Sequence, residues 1–168
     1  MNYDKYIQAA KTSSFGLWKL NFGLFRIIPF NKPHGIKISK LTDTTIETSI
    51  KYKRSNLNHI KGIHACGLAT TAEFASGFLL LTRLNPKKYR LIMESISMTY
   101  HYQAKSDVIA KFSLTEEWLN DNILTPLKDT NVVFIKCQID LYDTANNHIS
   151  TGYTNWQIKD WSAVKTNV

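Results

Sequence analysis

The stretch from Gly62 to Leu81 constrains this chain more than any other. Its residues are nearly all small or apolar, and Glu73 is the one charged side chain between His64 and Arg83. A helix so poor in polar residues is stable only in a protein interior. The rest of the chain must therefore wrap it.

The flanking segments have the patterns to do so. Ile36, Ile38 and Leu41 suggest a first strand, and Ile46, Thr48, Ile50 and Tyr52 line one face of a second, with Thr42-Asp43-Thr44 as a tight hairpin between them. After the helix, Ile92, Ile96, Met98, Tyr100 and Tyr102 share one face of a long strand. Val108 to Leu114, Val133 to Leu141 and Ile149 to Ile158 follow as three more. The connections are mostly short, so neighbouring strands are expected to pair antiparallel. Residues 116–129 form a longer link with room for a helical turn. The expected architecture is α+β: a curved antiparallel sheet of five or six strands around one long central helix. A helical extension over residues 1–30 precedes a main domain over residues 31–168.

That extension is unusual. Thr12-Ser13-Ser14 marks a break between two helices, where a hydroxyl caps the second. In the second helix, Phe15, Trp18, Phe22 and Phe25 recur at helical spacing, Leu17, Leu20, Leu24 and Ile27 fill adjoining faces, and Lys19, Gly23 and Arg26 leave a narrow polar stripe. Something should cover such a helix. Its own domain or a second subunit is the plainer expectation; peripheral membrane contact through aromatics and base is the sharper one. Pro29 and Pro33 end the segment.

Charge is divided unevenly. Residues 1–61 hold 11 Lys/Arg against 3 Asp/Glu, whereas residues 62–168 hold 10 against 10, so the whole surplus of +8 lies in the first third. A basic arm beside a neutral body points to an anionic partner. Nucleic acid is not expected, because the cations are scattered and no binding signature accompanies them. The acid-bearing start MNYDKYIQ is unlike a secretory signal, which places the chain in the cytoplasm as an expectation. Cys66 and Cys137 are too few for a disulfide framework. Both are expected as free thiols, Cys66 buried and inert, Cys137 in the core. His59, His64 and Cys66 lie within eight residues, but their spacing matches no common zinc motif, so no metal is expected.

Chemistry centres on Glu73. A buried carboxylate is costly unless paired, protonated or functional, and its helical neighbours Ala69, Thr70, Ser76 and Gly77 are small enough to admit a ligand. Near the helix start, the amides of Ala65, Cys66 and Gly67 are expected to present donors and partial positive charge to an oxyanion.

With Asn58, His64-Ala65-Cys66 and an acid nine residues after the histidine, the chain resembles hot-dog-fold thioesterases of the phenylacetate-pathway type. The wider string, from Pro29-Phe30-Asn31-Lys32-Pro33 to the Ala-Glu-Phe-Ala-Ser-Gly run, is similar to a bacterial branch of that superfamily, over about residues 29–160. Ala65 and Cys66 stand where the family has two glycines, and both amides remain. The resemblance implies that Glu73 attacks a thioester carbonyl or activates water, that the Ala65 amide polarises the carbonyl, that Asn58 positions the acid or water, and that His64 shapes the loop. It further implies an acyl-CoA or acyl-carrier substrate with no separate cofactor, a homodimer or dimer of dimers with the site at the interface, and coenzyme A phosphates near Lys61, Arg83, Lys87, Lys88 and Arg90. The alternative is a non-catalytic fatty-acyl or acyl-CoA binding protein of the same fold.

Overall fold

The computed structural model describes residues 3–164. Two helices open the chain, α1 (Tyr3–Thr12) and α2 (Ser14–Ile27). Ser13 separates them, and its Oγ accepts the Gly16 amide at 3.0 Å, which is the cap the hydroxyl cluster predicts. Gly16 is where the two helices meet: a Cβ there would lie 2.1 Å from the Ala9 carbonyl oxygen. Pro33 does not end the segment. It sits in a short helix, α3 (Asn31–His34), whose first-turn amides need no acceptor within the helix, and Gly35, at φ 67°, closes it.

Six strands form one antiparallel sheet: β1 (Lys37–Leu41), β2 (Thr45–Ile50), β3 (Tyr89–Tyr100), β4 (Val108–Ser113), β5 (Val132–Asp143) and β6 (His148–Asp160). Their spatial order is β1-β2-β4-β5-β6-β3. The β1–β2 and β5–β6 hairpins follow the short-link rule, but β3 and β4 do not pair with each other. The chain leaving β3 passes the start of the central helix, where Ile63 donates to the Ala104 carbonyl at 2.9 Å. It then enters the middle of the sheet, so β4 pairs with β2 and β5 while β3 pairs with β6.

The sheet wraps α4 (Ala65–Arg83), which is long and apolar enough to cross a bilayer by composition. Leu68, Ala72, Ala75, Leu79 and Leu80 are buried on it, against Ile46, Ile50, Ala110, Ile139 and Ile158 of the core. Close approach needs small residues. A Cβ on Gly77 would come within 2.8 Å of the Trp156 ring, and one on Gly152 within 3.2 Å of Ala72. Trp156 is held there by its indole N–H, which reaches both the Ser76 and Thr154 hydroxyls at 3.1 and 3.0 Å.

A bulge between Met93 and Ser95 corrects the expected phase of β3. Before it, Leu91 and Met93 point inward and Ile92 is exposed; after it, Ile96 and Met98 point inward. One extra residue reverses which side chains face the core.

The two sheet edges differ. At β1, the Asn21 carboxamide of α2 donates to the Ile38 carbonyl and accepts the Ile38 amide, both at 2.9 Å, filling the place of a neighbouring strand. At the other end, β3 pairs on one side only.

Candidate active site

The loop before α4 is built to hold the helix start. Asn58 Oδ1 accepts the amides of Ile60 and Gly62 at 3.1 and 3.0 Å, and the Asn58 amide donates to the Gly62 carbonyl. Lys61 takes a left-handed φ of 60°, which a non-glycine residue adopts at a cost, and its carbonyl accepts the Tyr52 hydroxyl at 2.8 Å. A Cβ on Gly62 would meet Gln103 at 2.8 Å, so the loop fits tightly under that side chain. The Asn58 oxygen is thus occupied within the loop. Its Nδ2 is the end available to a ligand.

His64 caps α4. Its Nδ1 accepts the Cys66 amide at 3.1 Å and its carbonyl accepts the Gly67 amide at 2.9 Å. Of the three amides expected to be open, those two are taken. Ala65 is left without an acceptor among the described residues, so the donor at the helix terminus is a single N–H with the helix dipole behind it. It borders a groove of about 310 Å³ lined by Asn58, Ala65, Leu68, Tyr100 and Gln103. Tyr100 closes one side, donating its hydroxyl to the Ala65 carbonyl at 3.2 Å. His64 and Cys66 face a neighbouring cavity of about 270 Å³ with Phe30, His34 and Asn56. Cys66 is exposed, against expectation, because it lies on the outer side of the first turn of α4, whereas Gly67 beside it packs so closely that a Cβ there would be 2.9 Å from Ile50 of β2. Cys137 is buried, and burial pushes its thiol up to about 12.

Glu73 lies two turns further along α4, on a half-buried strip with Ala69 and Thr70 that leads back to the exposed Cys66. Its carboxylate lies over Gly77, with Oε1 3.6 Å from where a Cβ would be, beside the Trp156 ring. No hydrogen-bond donor or cation among the described residues contacts it. Burial without compensation raises its pKa above the ordinary 4.5. Composition pointed to Ala69, Thr70, Ser76 and Gly77 around this carboxylate but not to Trp156, which arrives from β6. Asn56 was also missed: its side chain is buried and ties the loop to His34 and Lys51.

The structure brings Asn58, Ala65 and His64 together and leaves Glu73 apart. Eight residues of helix separate Ala65 from Glu73, about 12 Å at 1.5 Å per residue. The five basic residues are divided too. Lys61 is at the start of α4, whereas Arg83, Lys87, Lys88 and Arg90 are at or beyond its end, about 28 Å away. Arg83 is engaged by Glu116 and Asp43, and Arg90 donates to Gln157 at 3.1 Å. Among the described residues no three His, Cys, Asp or Glu side chains converge as metal ligands. A larger cavity, about 600 Å³, lies elsewhere, between β4, β5 and Trp118.

Solved structures share this architecture. A protein of unknown function from Pseudomonas aeruginosa, described as a probable thioesterase, superposes with a TM-score of 0.75 at 20% identity, covering 81% of this chain and 90% of its own. A thioesterase from Haemophilus influenzae gives 0.68 at 15% identity over 95% and 99%. A protein of unknown function from Chlorobaculum tepidum gives 0.72 at 14% identity over 89% and 98%. At these identities the likeness establishes the hot-dog fold. No curated protein matches the sequence. The model of the domain of unknown function DUF4442 matches residues 16–158, and the chain belongs to that family.

Proposed function

We propose that the protein hydrolyses an acyl thioester, carried by coenzyme A or an acyl carrier, in a site completed by two subunits. The observation that carries this reading is the spacing on α4. A lone helix-terminal amide and a desolvated carboxylate are the two groups thioester hydrolysis needs, one for the developing oxyanion and one to activate water or attack the carbonyl. About 12 Å apart on one helix, they cannot meet at one carbonyl. They can act together only if the carboxylate of one subunit faces the amide of another. A long open β3 edge is where two copies of the sheet would join, as strand addition favours. The narrower likeness to phenylacetate-pathway enzymes rests on the Asn58, His64 and Glu73 spacing and belongs to this proposal.

In that arrangement Glu73 works as its carboxylate, Ala65 N–H holds the carbonyl oxygen, and Asn58 Nδ2 orients the water or the acid. His64 keeps the helix start in place. Of the five cations, Lys61 is the one at the helix start, and Lys87 and Lys88, the latter with its Nζ 5.0 Å from the Tyr89 ring centre, are at the far end, for the phosphates of coenzyme A.

Subunit mixing tests the whole reading on a panel of acyl-CoA thioesters. Glu73→Gln removes the base and should lower turnover about 10³-fold. Ala65→Pro removes the amide while keeping the helix, since proline suits the first helical position and His64 already has the extended backbone a following proline requires. Each variant alone should turn over substrate about 100- to 1000-fold more slowly than the native protein. Mixed and re-equilibrated, they should recover about a quarter of native activity, because half of the dimers are mixed and each mixed dimer has one intact site. No recovery would place the site within one subunit. Binding of acyl-CoA by the native protein with no turnover would make it an acyl-binding protein instead.

A further inference from the structure

Three aromatic residues of α2 are left uncovered by the described residues. Phe15, Trp18 and Phe22 are 64%, 59% and 48% exposed, although they are large apolar groups. They form a ladder along one side of the helix, Phe15 stacked on Trp18 at 5.9 Å and Trp18 on Phe22 at 5.6 Å. Two cations ride on it: Lys19 Nζ lies 4.3 Å from the Phe15 ring centre and the Arg26 guanidinium 4.2 Å from that of Phe22. Ile27, the last residue of α2, and Phe30 beyond it extend the exposed apolar surface. The opposite face of α2 is committed to the fold through Gly16, Leu20 and Asn21. The ladder therefore sits on a rigid support.

Charge decides what this face fits. No Asp or Glu occurs from residue 5 to residue 42, a span that holds Lys5, Lys11, Lys19, Arg26, Lys32, Lys37 and Lys40. A second copy docking through the same face would bring Lys19 and Arg26 against their own kind. An anionic bilayer offers phosphates at the level of the cations and acyl-chain surface at the level of the rings, and tryptophan with lysine or arginine is the composition that settles at that boundary.

We propose that α2 docks the protein on an anionic lipid surface, with Phe15, Trp18 and Phe22 entering the headgroup boundary and Lys19 and Arg26 pairing with lipid phosphates. The inference is independent of the thioester reading, because no residue of the candidate active site takes part.

Flotation with extruded vesicles tests it on the full chain. The protein should float with phosphatidylcholine vesicles containing phosphatidylglycerol at low salt, and much less with pure phosphatidylcholine or at high salt. Lys19→Gln with Arg26→Gln should weaken binding about 25-fold, about fivefold for each cation. Phe15→Ala, Trp18→Ala and Phe22→Ala together should weaken it further at unchanged charge. Both variants alter exposed side chains, and circular dichroism should show the native fold. Three results overturn the proposal: no flotation of the native protein, equal flotation on neutral and anionic vesicles, or unchanged flotation of the aromatic variant. A fall in solution mass on removing the aromatics also overturns it, because the ladder would then be a contact between copies.

Discussion

The two edges of the sheet are treated in opposite ways. At β1, one asparagine satisfies both outward backbone groups of Ile38, and α2 lies across what would otherwise be an open strand. At β3, twelve residues run along the edge with a single bulge and no cover among the described residues. An open edge is a hazard that proteins blunt unless it is used. With one edge sealed by a specific device and the other long and open, the second is where the proposed pairing of subunits would add another sheet.

The largest test of this contrast is to spoil the open edge. Ser95→Lys with Ser97→Lys sets like charges along β3, and in a pair of subunits joined there the charges oppose their own copies. Light scattering should report monomers, and thioester hydrolysis should fall about 100-fold or more, since the oxyanion donor and base are parted. Full activity in a monomer would break the composite site.

Next is the sealed edge. Asn21→Ala leaves the buried amide and carbonyl of Ile38 without their partner, a loss of about 2–4 kcal/mol measurable by denaturant unfolding. The variant should also aggregate on standing, because the sheet would then be open at both ends. Between the edges, Gly77→Ala tests the grip of the sheet on α4. The methyl would overlap a Trp156 ring fixed by two hydrogen bonds, at about 1–3 kcal/mol, against a gain of about 1 kcal/mol in helix propensity. Net destabilisation of up to about 2 kcal/mol is expected.

The smallest effect is in pH dependence. Burial raises the Glu73 pKa, so folding favours its protonated form, and the carboxylate costs stability once ionised. Below the ordinary value of 4.5, Glu73 is protonated folded or unfolded and the native protein and Glu73→Gln should melt alike. As pH rises through the raised value the Gln variant should become the more stable. If Glu73 is the base of the proposed thioester hydrolysis, kcat/KM of the native protein should rise over the same range, because that role requires the carboxylate.

What was legible in the sequence was local. The composition of residues 62–81 exposed α4 and singled out Glu73, and alternation marked all six strands. Pairing across long separations was not. Nothing in the run from Tyr100 to Val108 says that β3 and β4 part company, since a short link reads as a hairpin whether or not the chain crosses a helix end. The Met93–Ser95 bulge is invisible because a one-residue insertion leaves both halves of the strand alternating. Asn21 reads as one polar residue in an apolar helix, and its two bonds to Ile38 exist only once α2 lies on the edge. At the candidate site, spacing singled out Asn58, His64 and Glu73, but the capping of Cys66 and Gly67 by the His64 ring and carbonyl, which reduces three amides to one, is a matter of local geometry.

The position of α4 in the chain has a consequence for biosynthesis. A helix apolar enough to cross a bilayer is made before most of the strands that enclose it, because β3 to β6 all follow it. A chain released before His148 lacks β6 altogether, and with it Trp156 above Gly77 and the strand joining β5 to β3. Such a nascent or truncated product displays the face of α4 that the finished protein hides, so it is the species that holding chaperones and insertion machinery would compete for. For this protein the final strand marks the point in synthesis at which its most membrane-like segment is committed to a folded core.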